Sequence, residues 1–160
     1  QAEELLGQYE LTQSPALYRF EYMYQHRLVV KKEDYPLFRK WVEYAPLSWV
    51  GMRCPVNALL GEDQGHYTAL NLFAEHARLL GIQEGGPVRR YPSFPCVRTY
   101  VSESGGFNLK KCFAPLLRYL EDQGLEPAGD LLGRTFLSYN KQRDYTRLRE
   151  VWLPVQNKNC

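Results

Sequence analysis

Pro36-Leu-Phe-Arg-Lys-Trp41 is answered later in the chain by Pro115-Leu-Leu-Arg-Tyr-Leu120, at an offset of 115 − 36 = 79. Each block lies in an apolar stripe of helical period: Leu37, Phe38, Trp41 and Val42 in the first, Leu109, Cys112, Phe113, Leu116, Leu117 and Leu120 in the second. Working outward, strands are expected at Leu17–Gln25 before the first helix, and near Ser48–Leu59 and His66–Ala77 after it. The second helix, Phe107–Gln123, follows a long strand over Val88–Val101 bent at Pro92 and Pro95. It precedes strands near Leu131–Asn140 and Thr146–Val155. Asp34 can cap the first helix, with Pro36 in its first turn; Pro46 ends it, and Gly124 ends the second. Pro115 inside the second helix should cost roughly 3 kcal/mol and predicts a kink or a late start. The polar turns are Gly61–Gly65 and Lys141–Asp144, and Gly85-Gly86-Pro87 reads as the linker. The pattern is β-α-β-β twice. It predicts an α+β fold of tandem repeats related by a pseudo-twofold, an antiparallel sheet with helices on one face, and a ligand cleft at the seam. Repeat one spans about 16–84 and repeat two about 85–156.

The closing strand, Arg147-Leu-Arg-Glu-Val-Trp-Leu-Pro-Val155, sets Val151 and Leu153 toward the core and Glu150 beside Trp152 on the other face. An unpaired carboxylate taken out of water costs several kcal/mol, so this one needs a partner. Arg134 or Arg149 could supply it; so could a ligand arriving with positive charge. The offset of 79 places Asn71 opposite Glu150 and Phe73 opposite Trp152. The same position then faces the seam in both halves and is charged in only one, which favours a polarised pocket.

Composition narrows the classes. The chain has 160 residues, net charge +2, interspersed acids and bases, and 12 tyrosines. No basic run supports nucleic-acid binding by this stretch, and no apolar run reaches membrane length. Tyrosine suits a wet cleft, but Tyr18, Phe20, Tyr22 and Tyr24 alternate on one face and read as core, as does Trp41. Cys54, Cys96, Cys112 and Cys160 form no C-x-x-C pair, and His26, His66 and His76 lack metal-site spacing. Free buried thiols in a reducing cytosol, no metal and no cofactor are expected. His66 and His76 read as strand-edge residues and Arg89-Arg90 as a solvated pair. Ala2, Leu5, Leu6 and Tyr9 have helical spacing, so residues 1–12 read as the end of a longer helix that stops by Gln13-Ser-Pro15. Because the chain opens on Gln1, a preceding domain is expected.

The tandem plan and the ending Glu150-Val-Trp-Leu-Pro-Val155 resemble the gyrase-inhibitor-like (GyrI-like, SHS2-type) effector-binding domain. Val88-Arg-Arg-Tyr-Pro-Ser-Phe-Pro-Cys-Val-Arg-Thr-Tyr100, an amphipathic helix, then Phe136-Leu-Ser-Tyr139 and the acidic strand look most like the drug-sensing C-terminal domain of MerR-family multidrug-responsive activators. The resemblance covers essentially the whole chain, with residues 13–160 as the effector-binding domain. It implies a cytoplasmic transcription regulator that is a homodimer through the preceding helix and meets DNA only through a helix-turn-helix domain outside this chain. It implies a lipophilic, cationic small-molecule effector and no membrane partner. Carried over by position, Glu150 is the cleft acid, with Trp152 and Tyr139 as stacking aromatics. Asn71, Phe73, Trp49 and Tyr100 complete the candidate ligand-binding set, and no catalytic residue is assigned. The rival from another class is a hydrolase of strained electrophiles using Glu150 with Tyr139. A third reading is an aromatic surface for a protein partner.

Overall fold

The two stripes do become the two main helices, and each covers half of one sheet. The computed structural model describes residues 2–61, 65–104, 108–141 and 144–158. In chain order the strands and helices are β1 (Tyr9–Gln13), β2 (Leu17–Tyr24), β3 (Arg27–Leu28), α1 (Tyr35–Glu43), β4 (Trp49–Cys54), α2 (Val56–Leu59), β5 (Tyr67–Phe73), α3 (Ala74–Leu79), β6 (Val88–Tyr91), β7 (Pro95–Ser104), α4 (Leu109–Asp122), β8 (Leu125–Pro127), β9 (Leu131–Lys141) and β10 (Asp144–Asn157).

The strands form an antiparallel sheet in the order β1-β7-β10-β9-β4-β5-β2-β3, with β6 also pairing β2 and β8 pairing β10. The first half lies as β4-β5-β2 and the second as β9-β10-β7, so the order is the same in each half, counted outward from the β4–β9 pair. That pair is the seam, with Gly51 opposite Arg134 and Met52 opposite Gly133. A long antiparallel sheet with helices on one face is the fold the repeat predicts.

Alternation divides each strand between two faces. On the helix side, Val97, Val101, Val151, Leu153, Met52 and Cys54 pack against Leu109, Cys112, Phe113, Leu116 and Leu120 of α4. In the first half, Phe20, Leu70 and Leu72 pack against Trp41 of α1 and Ala77 of α3. Phe20 and Trp41 are fully buried with their rings 5.9 Å apart, each worth about 1.5–3 kcal/mol of burial. Tyr18 and Tyr22 join this cluster, in accord with the core reading of that face. Val42, assigned to the stripe, is instead 52% exposed.

Several elements differ from the sequence reading. Residues 1–12 are not one helix: a single 3-10 turn, Ala2–Leu5, is followed by Gly7 at φ +81°, and Tyr9–Gln13 is a strand on the outer edge of β7. Val88–Val101 is two strands that part company, β6 joining β2 in the first half and β7 joining β10 in the second. The ends of the expected strands Ser48–Leu59 and His66–Ala77 fold as the short helices α2 and α3. Asp34 stands at the N-cap of α1 without a side-chain bond, whereas Asn108 caps α4 by accepting from the Lys111 amide at 3.1 Å. α4 runs through Pro115 from Leu109, so it has no late start. Gly124 closes it at φ +68°. The middles of the turns at 61–65 and 141–144, Phe107 and Cys160 lie outside the described residues.

Candidate functional site

On the face away from the helices, the seam gathers aromatic and charged side chains. Glu150 lies in register between Tyr100 of β7 and Arg134 of β9, and it is 3% exposed. Its carboxylate accepts from Arg98 Nε at 2.7 Å on Oε2 and from Arg134 Nε at 2.8 Å on Oε1. Tyr100 donates its hydroxyl to Oε2 at 3.4 Å. Burial first, and the negative Glu150 second, raise the Tyr100 phenol above its ordinary value, so it stays protonated to donate. Of the two arginines the sequence offered to Glu150, one is a partner. Arg149 points the other way and binds Glu103 at 2.7 Å on the helix side. Arg98 was missed altogether; the signal for it is that Arg98 and Glu150 are near-neighbours on strands that pair late in the chain.

Arg98 is held from several sides, donating also to Glu10 of β1 at 3.2 Å and to the Tyr100 hydroxyl. Arg134 instead has rings around it. Its guanidinium carbon is 5.7 Å from the Trp49 ring centroid, 5.7 Å from Phe73 and 5.9 Å from Trp152, all within cation–π range. Trp49 and Phe73 touch each other at 5.2 Å. Gly51, directly across from Arg134, makes this crowding possible: a Cβ there would lie 2.6 Å from Asn71 Nδ2, 2.7 Å from the Gly133 carbonyl oxygen and 2.9 Å from the Trp49 ring.

Four of the seven residues expected in the site, Glu150, Trp152, Phe73 and Trp49, therefore surround the Arg134 guanidinium, and a fifth, Tyr100, joins them through Glu150 and Arg98. Asn71 has a different occupation. Wholly buried, it accepts from Arg19 Nη1 at 2.9 Å and donates to the carbonyls of Trp49 and Ala69. It is a mortar residue under the site. The backbone of Tyr139 pairs with Thr146, while its side chain lies outside the described residues, and with it the acid–base pair of the hydrolase reading.

Three cavities bear on ligand binding. A shallow one of about 400 Å³ opens over Arg98, Arg134, Glu150, Phe73 and Trp152. An apolar slot of about 360 Å³ lies on the other side of Trp152, between Tyr91, Phe94, Leu132 and Pro154. The largest, about 850 Å³, is on the helix side and includes Met52, His66, Glu103, Arg147 and Arg149. Size alone favours the last, but its carboxylate Glu103 is already met by Arg149, and no stacked rings line it among the described residues. The open-face cavities carry the convergent chemistry.

Beside the site runs a second ion chain, unforeseen in the sequence. Arg19, 1% exposed, donates to Glu21 at 3.2 Å; Arg53 grips Glu21 with Nε and Nη2 at 2.7 and 3.0 Å and reaches Asp130 at 2.8 Å. Burial alone would raise the Glu21 carboxyl, but Arg53 and Arg19 together hold it below its ordinary value. The thiols behave as expected for buried free cysteines: burial pushes Cys96 up to about 11 and Cys112 up to about 12, and Cys54, Cys96 and Cys112 are unbridged. No described helix is long and apolar enough to cross a membrane.

Compared by sequence, the chain matches no family profile and no curated protein. Compared by structure, it superposes on the EcmrR C-terminal domain with a TM-score of 0.55 at 14% identity, covering 94% of this chain and 98% of that one. It superposes equally well, at 14% identity and a TM-score of 0.55, on EcmrR in a cryo-EM structure of the EcmrR-DNA complex, covering 94% of this chain and 57% of that one. The chain thus spans a little over half the length of that neighbour. At such identities the likeness establishes the fold alone: the chain is an α+β domain folded as the EcmrR C-terminal domain is.

Proposed function

We propose that this domain is the ligand-sensing part of a transcription regulator, and that it takes a flat lipophilic cation on the open face of the seam. Glu150 supplies the counter-charge, and Trp49, Phe73, Trp152 and Tyr100 supply the walls. One observation carries the reading: a guanidinium is already seated over three rings and against that acid. A seat that suits the side chain's cation suits a ligand's, each ring contributing about 0.5–2 kcal/mol. The apolar slot behind Trp152 would hold the ligand's uncharged part, so affinity would rest mainly on buried area and selectivity would be broad.

The regulatory half of the proposal draws on EcmrR, which is found with DNA in one of the matching structures. By that analogy, DNA contact belongs to segments outside this chain, and the dimer is part of the proposal. Coupling to DNA would require the ligand to favour one arrangement of the dimer over another.

The test is a titration with phenyltrimethylammonium and with tert-butylbenzene, its uncharged isostere, following tryptophan fluorescence in the wild type and in Glu150→Gln. Preferential binding of the cation, lost in the variant, is the expected result. Equal affinity for the two probes, unchanged in Glu150→Gln, overturns the proposal.

A further inference from the structure

Arg134 occupies the seat that the proposed ligand needs, and its attachments suggest why it is the arginine that can leave. Arg98 holds Glu150 together with Glu10 and Tyr100, three partners on three elements. Arg134 bonds Glu150 through Nε, and its other close neighbours are ring faces. Its side chain is one-third exposed, so an outward path to water is open. If Arg134 swings out, Glu150 keeps Arg98 and the Tyr100 hydroxyl, so the buried carboxylate is not orphaned. If Arg98 left instead, Glu10 and Tyr100 would lose a partner too. Two guanidiniums on one buried acid therefore make one of them redundant, and the redundant one is the one in the aromatic cage.

We infer that Arg134 is a built-in competitor: its guanidinium stands in for the ligand's cation in the empty site and is expelled when a cation binds. The inference rests on the cation-sensing reading above and specifies what sets its threshold. Apparent affinity falls in proportion to the fraction of molecules in which the seat is free. A neutral molecule of the same shape has no charge to offer Glu150 and is left to the apolar slot behind Trp152, which Arg134 does not line. Arg134 thereby raises the concentration of cation needed.

The experiment measures binding of phenyltrimethylammonium and tert-butylbenzene to wild type, Arg134→Gln and Arg134→Lys, with near-ultraviolet circular dichroism as the check on folding. Arg134→Met, which retains most of the apolar stem, is the second neutral variant. Removal of the competitor should tighten cation binding by about tenfold and leave the neutral probe unchanged. Arg134→Lys, which keeps a cation on the same strand, should bind the probe about as weakly as wild type. In the double variant with Glu150→Gln the gain should vanish. Should the neutral variants bind the cation equally or less well while wild type still prefers it to the neutral probe, Arg134 is a fixed wall; the inference then fails and the ligand reading stands. A gain shared by both probes would mean that the substitution merely enlarges the cavity, which also overturns it. If no protein distinguishes the probes, both readings fail together.

Discussion

Removing Arg98 and removing Arg134 are different operations, although both guanidiniums sit on the same carboxylate. Arg98 gathers Glu10, Tyr100 and Glu150, so truncating it strands acceptors on three strands. Arg134→Ala loses one partly exposed ion pair, worth about 0–1 kcal/mol, and some ring contact. Arg98→Ala should therefore lower the urea midpoint by the equivalent of about 1–2 kcal/mol more than Arg134→Ala does. Equal losses would mean that the Glu10 and Tyr100 contacts add nothing. At this scale the sequence was legible in kind but not in partnership. The acid beside an aromatic pointed to Glu150 and Trp152, and the repeat offset led to Phe73. The same offset put Asn71 in the site, where it is in fact saturated beneath it, because an offset reports position and says nothing of which groups a side chain meets. Arg134 was one of the two partners the sequence offered to Glu150, whereas Arg98 sits on a strand whose pairing with β10 is set by the whole sheet, and no local pattern marks it.

Elements form where their local signals agree and surprise where a short run satisfies two periods. α1 and α4 have long stripes and clear ends, and both were legible. Val56–Leu59 and Ala74–Leu79 are helices of only four and six residues after a strand, too short for periodicity to separate helix from strand. Tyr9 and Leu11 fit strand alternation as well as Leu5 and Tyr9 fit a helix; Gly7 at φ +81° breaks the helical option and pairing with β7 settles the other. Pro92 and Pro95 read as a bend within one strand, yet they separate β6 from β7 and send the chain from one half to the other. The seam depends on Gly51, where any Cβ meets the Gly133 carbonyl at 2.7 Å. Gly51→Ala must push β4 and β9 apart and should cost about 1–3 kcal/mol, read as a lowered melting temperature. An unchanged melt would mean that the strands give way there freely.

For the molecule as a whole, two ion chains span the open face, and one of them makes stability depend on pH. Glu21 is held below its ordinary value of 4.5 by Arg53 and Arg19 despite burial. A depressed carboxyl contributes stability that is fully present above its unfolded value and is lost as pH falls through the folded one. The domain should thus lose stability below about pH 4.5, and Glu21→Gln should flatten that acid limb in urea titrations taken at stepped pH. His66, lowered mainly by burial, adds a loss beginning below its ordinary 6.5. That loss is common to both proteins and cancels in the comparison. An acid limb of the same slope in the variant would mean that Glu21 carries no linkage.

The edge strand β1 has a practical side. It covers the outer border of β7 over Tyr9–Gln13, and one of its residues, Glu10, reaches Arg98 and through it the central acid. The border of the sheet and its centre are thus wired to each other by a single arginine. Anyone trimming the chain at Ser14 would take away more than a covering strand. The cut would leave Arg98 without its outer counter-ion, make the group around Glu150 one charge more positive, and weaken the site for the cations it is proposed to hold. The smallest piece worth assaying for ligand therefore begins no later than Gln8.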